Sequence, residues 1–509
     1  MKRFFQEVGI SVAENLDGVC RYRGIRYATA PSGLGRFMPP ELWRGPITGV
    51  GVATVNGEPH GPVLAPQGTS RLAHVMGPMA DLPQSEDCLS LTVVCPRPAS
   101  EAAAGTGLLP VLVWFHGGGW SSGGGDLPWY DAAALVREGP MVVVSPQVRL
   151  GALGYLVAEG VSEGNLGLLD QEAALHWVQQ HIALFGGNPN AVTVMGQSAG
   201  GSAVAQLLIR RLPGWPASDD GLGGGAPQVG ALFQRAILQS PALGVLPYKP
   251  AQASQLGRQV LDALDVWPGR GTVAQWLAVQ QQAGPWAREL GMLAGPVHPP
   301  FGPVADGRVL PKPEAYPQAL VQAAGQVDVL LGYARDELAA FDAVPAVSTG
   351  SDDVLPGLDP WFAAPAWRWA QSAVQQGRRA WVYQFDWAAP GSALGACHCI
   401  ELPFVFGTFK AFGQAPMLAP RLSVSGGCPA TDEQAQRSSL SRQVRQAWIN
   451  FVVSGDPNQG PDSGLPLWPA VAVGRGPVMH LAAHSHCRET GSQHGPQHGP
   501  PGHQASQLS

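Results

Sequence analysis

The chain has 509 residues, 45% of them hydrophobic and 13% charged, which is enough to bury a large core and too apolar for a disordered chain. A net charge of -6, built from mixed signs without a basic block, argues against a nucleic-acid or anionic-membrane partner. No run of about 18 apolar residues occurs, so no membrane span is expected.

The start, MKRFFQEVGISVAENLDG, has two basic residues but no apolar run long enough for a secretory leader. Seven cysteines (Cys20, Cys88, Cys95, Cys397, Cys399, Cys428 and Cys487) are odd in number, irregular in spacing and free of CxxC pairs. A zinc site is therefore not expected, and the thiols read as reduced, in a cytoplasmic protein.

From Val8 to about Pro98, short apolar runs alternate with turns; VCRYRGIRYA and CLSLTVVC read as strands. LPVLVWF is a buried strand, followed by the Gly-rich loop HGGGWSSGGG and a further strand, MVVVSP. LLDQEAALHWVQQHIALFG reads as an amphipathic helix, with Ala174, Trp177, Val178, Ile182 and Phe185 near helical spacing. AVTVMG is a strand, Ser202 to Arg210 a helix, and RAILQSP and VDVLLGY two more strands. This rhythm predicts an α/β protein: a mostly parallel sheet with helices on both faces. GVLPYKPAQ through LAGPVHPP is helical, residues 343–360 form a Pro/Gly/Asp-rich loop, and SSLSRQVRQAWINFVVSG is a late helix stopped by Gly455. The predicted organisation is one catalytic domain over 1–483 and a disordered His/Gly/Pro-rich tail over 484–509.

Chemistry concentrates in Gly196-Gln197-Ser198-Ala199-Gly200, which lies between a buried strand and a helix. A serine hydroxyl needs a base to take its proton, and a strand–turn–helix elbow presents it beside helix N-terminal amides. His116-Gly117-Gly118-Gly119 also follows a strand, so the N–H groups of Gly118, Gly119 and Ala199 are candidate donors to an oxyanion. Among the thirteen histidines, His398 in GACHCIELPFVFG is the best placed base. His176 and His181 are read as surface or packing residues, and His480 as packing. The acid falls in VDVLLGYARDELAAF, where periodicity leaves Asp336 and Glu337 both open.

These residues resemble the type-B carboxylesterase and cholinesterase family of α/β-hydrolases. GIRYATAPSGLGRF, SEDCLSLTV, HGGGW, VRLGALGYL, GNLGLLDQEAALHWVQQHIALFGGNPNAVTVMGQSAGG, LFQRAILQSP, VADGRVLP, GYARDELAAF, ACHCIELPFVFG and WINFVVSGDPN occur in the family's order. The resemblance implies an α/β-hydrolase fold with Ser198 as nucleophile, Glu337 as acid and His398 as base. Gly118, Gly119 and Ala199 become the oxyanion hole, and no metal or organic cofactor is implied. Two buried ion pairs are implied as well, Arg36 with Glu86 and Arg149 with Asp170.

The departures shape the expected substrate. Gln197 stands where the family usually has Glu, so a negative charge beside the imidazolium is lost. No tryptophan lies in RLAHVMGPMADLPQ, where cholinesterases bind choline. Leu64 stands near the expected partner of Cys88, which should be free. Glu337 and His398 are only 61 positions apart, which implies a shortened wall and a more open pocket, or one completed by another subunit. Cys397 and Cys399 should point away from His398 on an extended stretch. The expectation is an esterase acting on small, short-chain, uncharged esters. Rivals are an amidase or carbamate hydrolase on the same fold, and a non-catalytic binding module.

Overall fold

The computed structural model describes residues 14–16, 18–45, 54–55, 58–59, 63–97, 107–213, 232–341, 358–419, 430–474 and 476–489. Eleven strands form its main sheet: β1 (Glu14–Leu16), β2 (Val19–Arg26), β3 (Ser90–Pro96), β4 (Leu109–Phe115), β5 (Val142–Pro146), β6 (Gly187–Gln197), β7 (Arg235–Gln239), β8 (Asp328–Ala334), β9 (Ala380–Phe385), β10 (Pro477–Leu481) and β11 (His486–Glu489). Their order is β1-β2-β3-β5-β4-β6-β7-β8-β9-β10-β11. From β5 across to β10 every pairing is parallel. The β1 and β11 edges pair antiparallel.

Strand side chains alternate between faces, and here both faces are apolar. Val111, Val113 and Phe115 of β4 pack into one core, and Leu112 and Trp114 into the other. Helices α1 (Leu166–His181), α2 (Ala199–Arg210), α3 (Pro250–Leu264), α4 (Val273–Glu289) and α5 (Ala363–Gln375) cover the first face; α6 (Ala430–Ser454) covers the second. The α/β-hydrolase architecture anticipated from the sequence is therefore present. Among the described residues no helix is long and apolar enough to cross a membrane.

Several local expectations need correction. Helix α1 is not amphipathic: Leu166 to Val178 are buried on every side, including Asp170, Glu172 and His176. Its acids are tolerated because each has a cation. Asp170 takes Arg149 Nη2 at 2.6 Å and Nε at 2.9 Å, and Glu172 takes Arg210 Nη2 at 2.7 Å. The first of these is a pair implied by the family resemblance; so is Arg36–Glu86, with Nη2 to Oε2 at 2.8 Å. Removing one partner from such a pair strands a buried charge, at a cost of roughly 3–5 kcal/mol.

The late helix begins at Ala430, earlier than its apolar rhythm suggests, and ends at Gly455 with φ 81°. Strands β9 and β10 were not anticipated. His480, read as a packing residue, lies on β10 with Nδ1 2.7 Å from Asp386 Oδ2. The polar stretch from His484 is not all tail: His486–Glu489 adds to β10 as an edge strand, held by backbone pairing that needs no apolar side chains. Residues 490–509, and 343–357 of the predicted loop, lie outside the described residues.

Candidate active site

Strand β6 delivers Ser198 directly into α2. Ser198 has φ 56° and ψ -123°, a conformation costly for a residue with a side chain, by about 1–3 kcal/mol. Neighbouring strands and helix hold it there. Its N–H donates to Gln239 O at 2.9 Å, and its carbonyl accepts the Ser202 N–H at 3.0 Å. Gly200 makes the turn possible, since a Cβ there would lie 2.1 Å from Phe115 O at the end of β4. Only glycine lets α2 close against that strand end.

The His116–Gly119 loop leaves the same strand end. Gly118 has φ 110°, and a Cβ on it would stand 2.0 Å from Ser122 O. Gly118 and Gly119 line one cleft with Ser198, Ala199, Trp120 and Phe362. Ala199 opens α2, where backbone N–H groups are without helical partners. His116 is buried, which lowers its pKa to about 4 and makes it a weak proton acceptor.

Glu337 follows β8, and His398 lies in the loop after β9. His398 Nδ1 is 2.5 Å from Glu337 Oε2, while Glu337 Oε1 accepts the Ala334 N–H at 2.7 Å. Both side chains are buried, at 0% and 2% exposure. Asp336 faces elsewhere. Its Oδ2 accepts the Ala396 N–H at 2.8 Å and Arg335 Nη2 at 2.9 Å. Of the two carboxylates left open by periodicity, Glu337 meets the imidazole and Asp336 ties down the loop that carries it.

His398 Nε2 has the Gln197 side-chain amide as its neighbour, Nε2 to Nε2 at 3.2 Å, rather than the Ser198 hydroxyl. With the imidazole proton on Nδ1 facing Glu337, Nε2 is an acceptor and the Gln197 N–H can donate to it. Glutamine thus suits the neutral ring, where a glutamate would suit the charged one. The same amide lies 3.4 Å from Cys399 Sγ. Cys399 therefore does not point away as expected. The stretch is not extended there: Cys399 has φ 77°, a tight turn that brings its thiol to the site.

Burial opposes charge on His398, but Cys399 and the Glu337 carboxylate favour it, and its pKa is raised above the ordinary 6.5. Glu401 is also buried. Burial, and then Glu337, push its pKa up to about 7, and its Oε1 accepts from Gln239 Nε2 at 3.3 Å. The rings of Phe341 and Phe362 cover the imidazole, with centroids at 5.3 and 4.5 Å. The shortened wall, expected to give a more open pocket or one completed by another subunit, falls largely on residues 343–357, outside the described residues. Phe341, Phe362, Glu401 and Arg71 at the cleft mouth were not found from the sequence, and Cys399 was noted there only as pointing away. Of the four, only Glu401 carries a sequence signal, its closeness to His398.

The candidate residues all gather at the carboxyl ends of parallel strands, where open α/β sheets place their chemistry. Together with the strained strand-to-helix serine, this is the arrangement of an α/β-hydrolase. The chain belongs to the carboxylesterase family, which it matches over residues 8–353 and 358–497, and it is a carboxylic ester hydrolase by that membership. It is 35% identical over 461 residues to a probable N-octanoylanthranilate hydrolase of Rhodococcus erythropolis, covering 88% of this chain and 90% of that one. It is 31% identical over 484 residues to the para-nitrobenzyl esterase of Bacillus subtilis (strain 168), covering 87% and 88% respectively. Among solved structures, a Geobacillus stearothermophilus carboxylesterase is 28% identical with a TM-score of 0.68, covering 94% of this chain and 95% of that one. Cys88 is buried and free, and Leu64 is likewise buried.

Proposed function

We propose that the chain is a serine esterase that hydrolyses small carboxylic esters through a Ser198–His398–Glu337 triad and an acyl-enzyme. The observation that carries this is the buried 2.5 Å contact between Glu337 and His398, with the ring beside the elbow. To react, His398 Nε2 exchanges the Gln197 amide for the Ser198 hydroxyl. Ser198 Oγ then attacks the ester carbonyl as Nε2 takes its proton. The new oxyanion accepts hydrogen bonds from the N–H groups of Gly118, Gly119 and Ala199. Collapse expels the alcohol, protonated by His398, and leaves the acyl group on Ser198. Water repeats the sequence and releases the acid. Gln197, which lacks the family's negative charge at that position, turns the site away from cationic esters.

Replacing Ser198 by Ala is expected to lower p-nitrophenyl butyrate turnover by about 10³-fold or more. Wild-type turnover in that variant would overturn the proposal. A relative named for N-octanoylanthranilate, an N-acyl compound, favours amide hydrolysis as the second reading. Acyl transfer to nitrogen or oxygen leaving groups uses the same parts, so turnover of an ester and its matched amide separates the two.

A further inference from the structure

One charged side chain stands among the described residues lining the cleft over Ser198, and it is Arg71. Among the described residues no Asp or Glu lines that cleft. The partners of the Arg71 guanidinium among the described residues are all carbonyls. Nη2 donates to Val297 O at 3.0 Å, and Nη1 donates to His298 O at 3.3 Å and Pro296 O at 3.4 Å. Three of five N–H donors are thereby engaged, two of them at long range, and two are left over. Carbonyl dipoles position the fork without cancelling its charge. This sets Arg71 apart from Arg36, Arg149 and Arg210, each of which meets a carboxylate.

Its position matters as much as its charge. A Cβ on Gly119 would lie 3.2 Å from Arg71 Nη2, so the guanidinium abuts the loop proposed above to bind the oxyanion. Crowding by its surroundings lowers the Arg71 pKa, although the residue as a whole remains exposed at the cleft mouth. It is a cation open to a ligand on one side and packed on the other. A guanidinium with unused donors matches a carboxylate in shape and charge.

Resting on the serine-esterase reading above, we propose that Arg71 is a specificity residue that binds a free carboxylate carried by the substrate. The preferred esters are then monoanionic, which revises the expectation of uncharged ones. The same charge repels cationic esters, in line with Gln197.

The test compares kcat/KM for two matched pairs, one with the carboxylate in the alcohol half and one with it in the acyl half. These are 4-acetoxybenzoate against its methyl ester, and monoethyl adipate against ethyl hexanoate. In Arg71→Gln the anionic-to-neutral ratio is expected to fall roughly 10- to 100-fold for at least one pair, mainly through KM. Arg71→Lys, which keeps the charge but loses the fork, is expected to fall in between. The wild-type ratio for that pair should also drop as salt is raised from about 0.05 to 0.5 M. If Arg71 only staples the Pro296–His298 segment, both members of each pair decline together and the ratios hold, and the inference is overturned. Ser198→Ala on the same four esters keeps the two ideas apart. Full activity there would defeat the esterase reading, whereas loss of activity with unmoved Arg71 ratios would defeat only this one.

Discussion

Ser198 and His398, the proposed nucleophile and base, are held in place by different means. Ser198 sits where β6 meets α2, and regular backbone pairing to β7 together with close glycine packing fixes it. His398 sits in a loop, and side chains fix it: Glu337 on one nitrogen, Gln197 near the other, two phenylalanine rings alongside, and Asp336 tying down Ala396. Backbone placement is rigid and indifferent to charge. Placement by side chains is tunable, because each contact also biases the imidazole's protonation. Position comes from the elbow, and the pH response comes from the base loop.

That contrast can be broken most severely at Glu337. Glu337→Gln keeps the shape but removes the charge that favours the reacting tautomer, and kcat is expected to fall by about 10⁴-fold. Asp336→Asn retains an acceptor for the Ala396 N–H and loses only an exposed ion pair, so its loss should stay within about tenfold. Equal losses in both, followed by steady-state kinetics on one ester, would mean that the loop anchor and the catalytic acid are not distinct.

Smaller effects concern pH. Since the His398 pKa is raised and a protonated Nε2 cannot accept the serine proton, kcat/KM should fall as pH drops through a value above 6.5. Gln197→Glu replaces a donor to Nε2 by an anion beside it. It should move that acidic limb to still higher pH and improve cationic esters relative to neutral ones. A limb that stays in place would show that residue 197 acts on shape alone.

What was legible in the sequence follows the same division. The elbow could be read because strand, Gly-x-Ser-x-Gly and helix are contiguous, and local residue types determine local geometry there. The acid could not be read from periodicity, because Asp336 and Glu337 differ only in which way a turn aims them; the family resemblance supplied Glu337. Helix α1 misled because its buried acids look like a polar face until Arg149 and Arg210, distant in sequence, are seen to meet them. The β11 edge strand was hidden for a related reason: backbone pairing at a sheet edge leaves no apolar signature. Phe341, Phe362 and Arg71 reach the cleft from three separate segments, and nothing near any of them in sequence announces it.

The central claim is that Ser198 is the nucleophile activated by His398. Diethyl p-nitrophenyl phosphate, which phosphorylates an activated serine, followed by peptide mass mapping, tests it most directly. A single adduct on Ser198, lost in Ser198→Ala and strongly slowed in Glu337→Gln, is the expected result. No adduct, or one on another residue in an enzyme still active on esters, would contradict it.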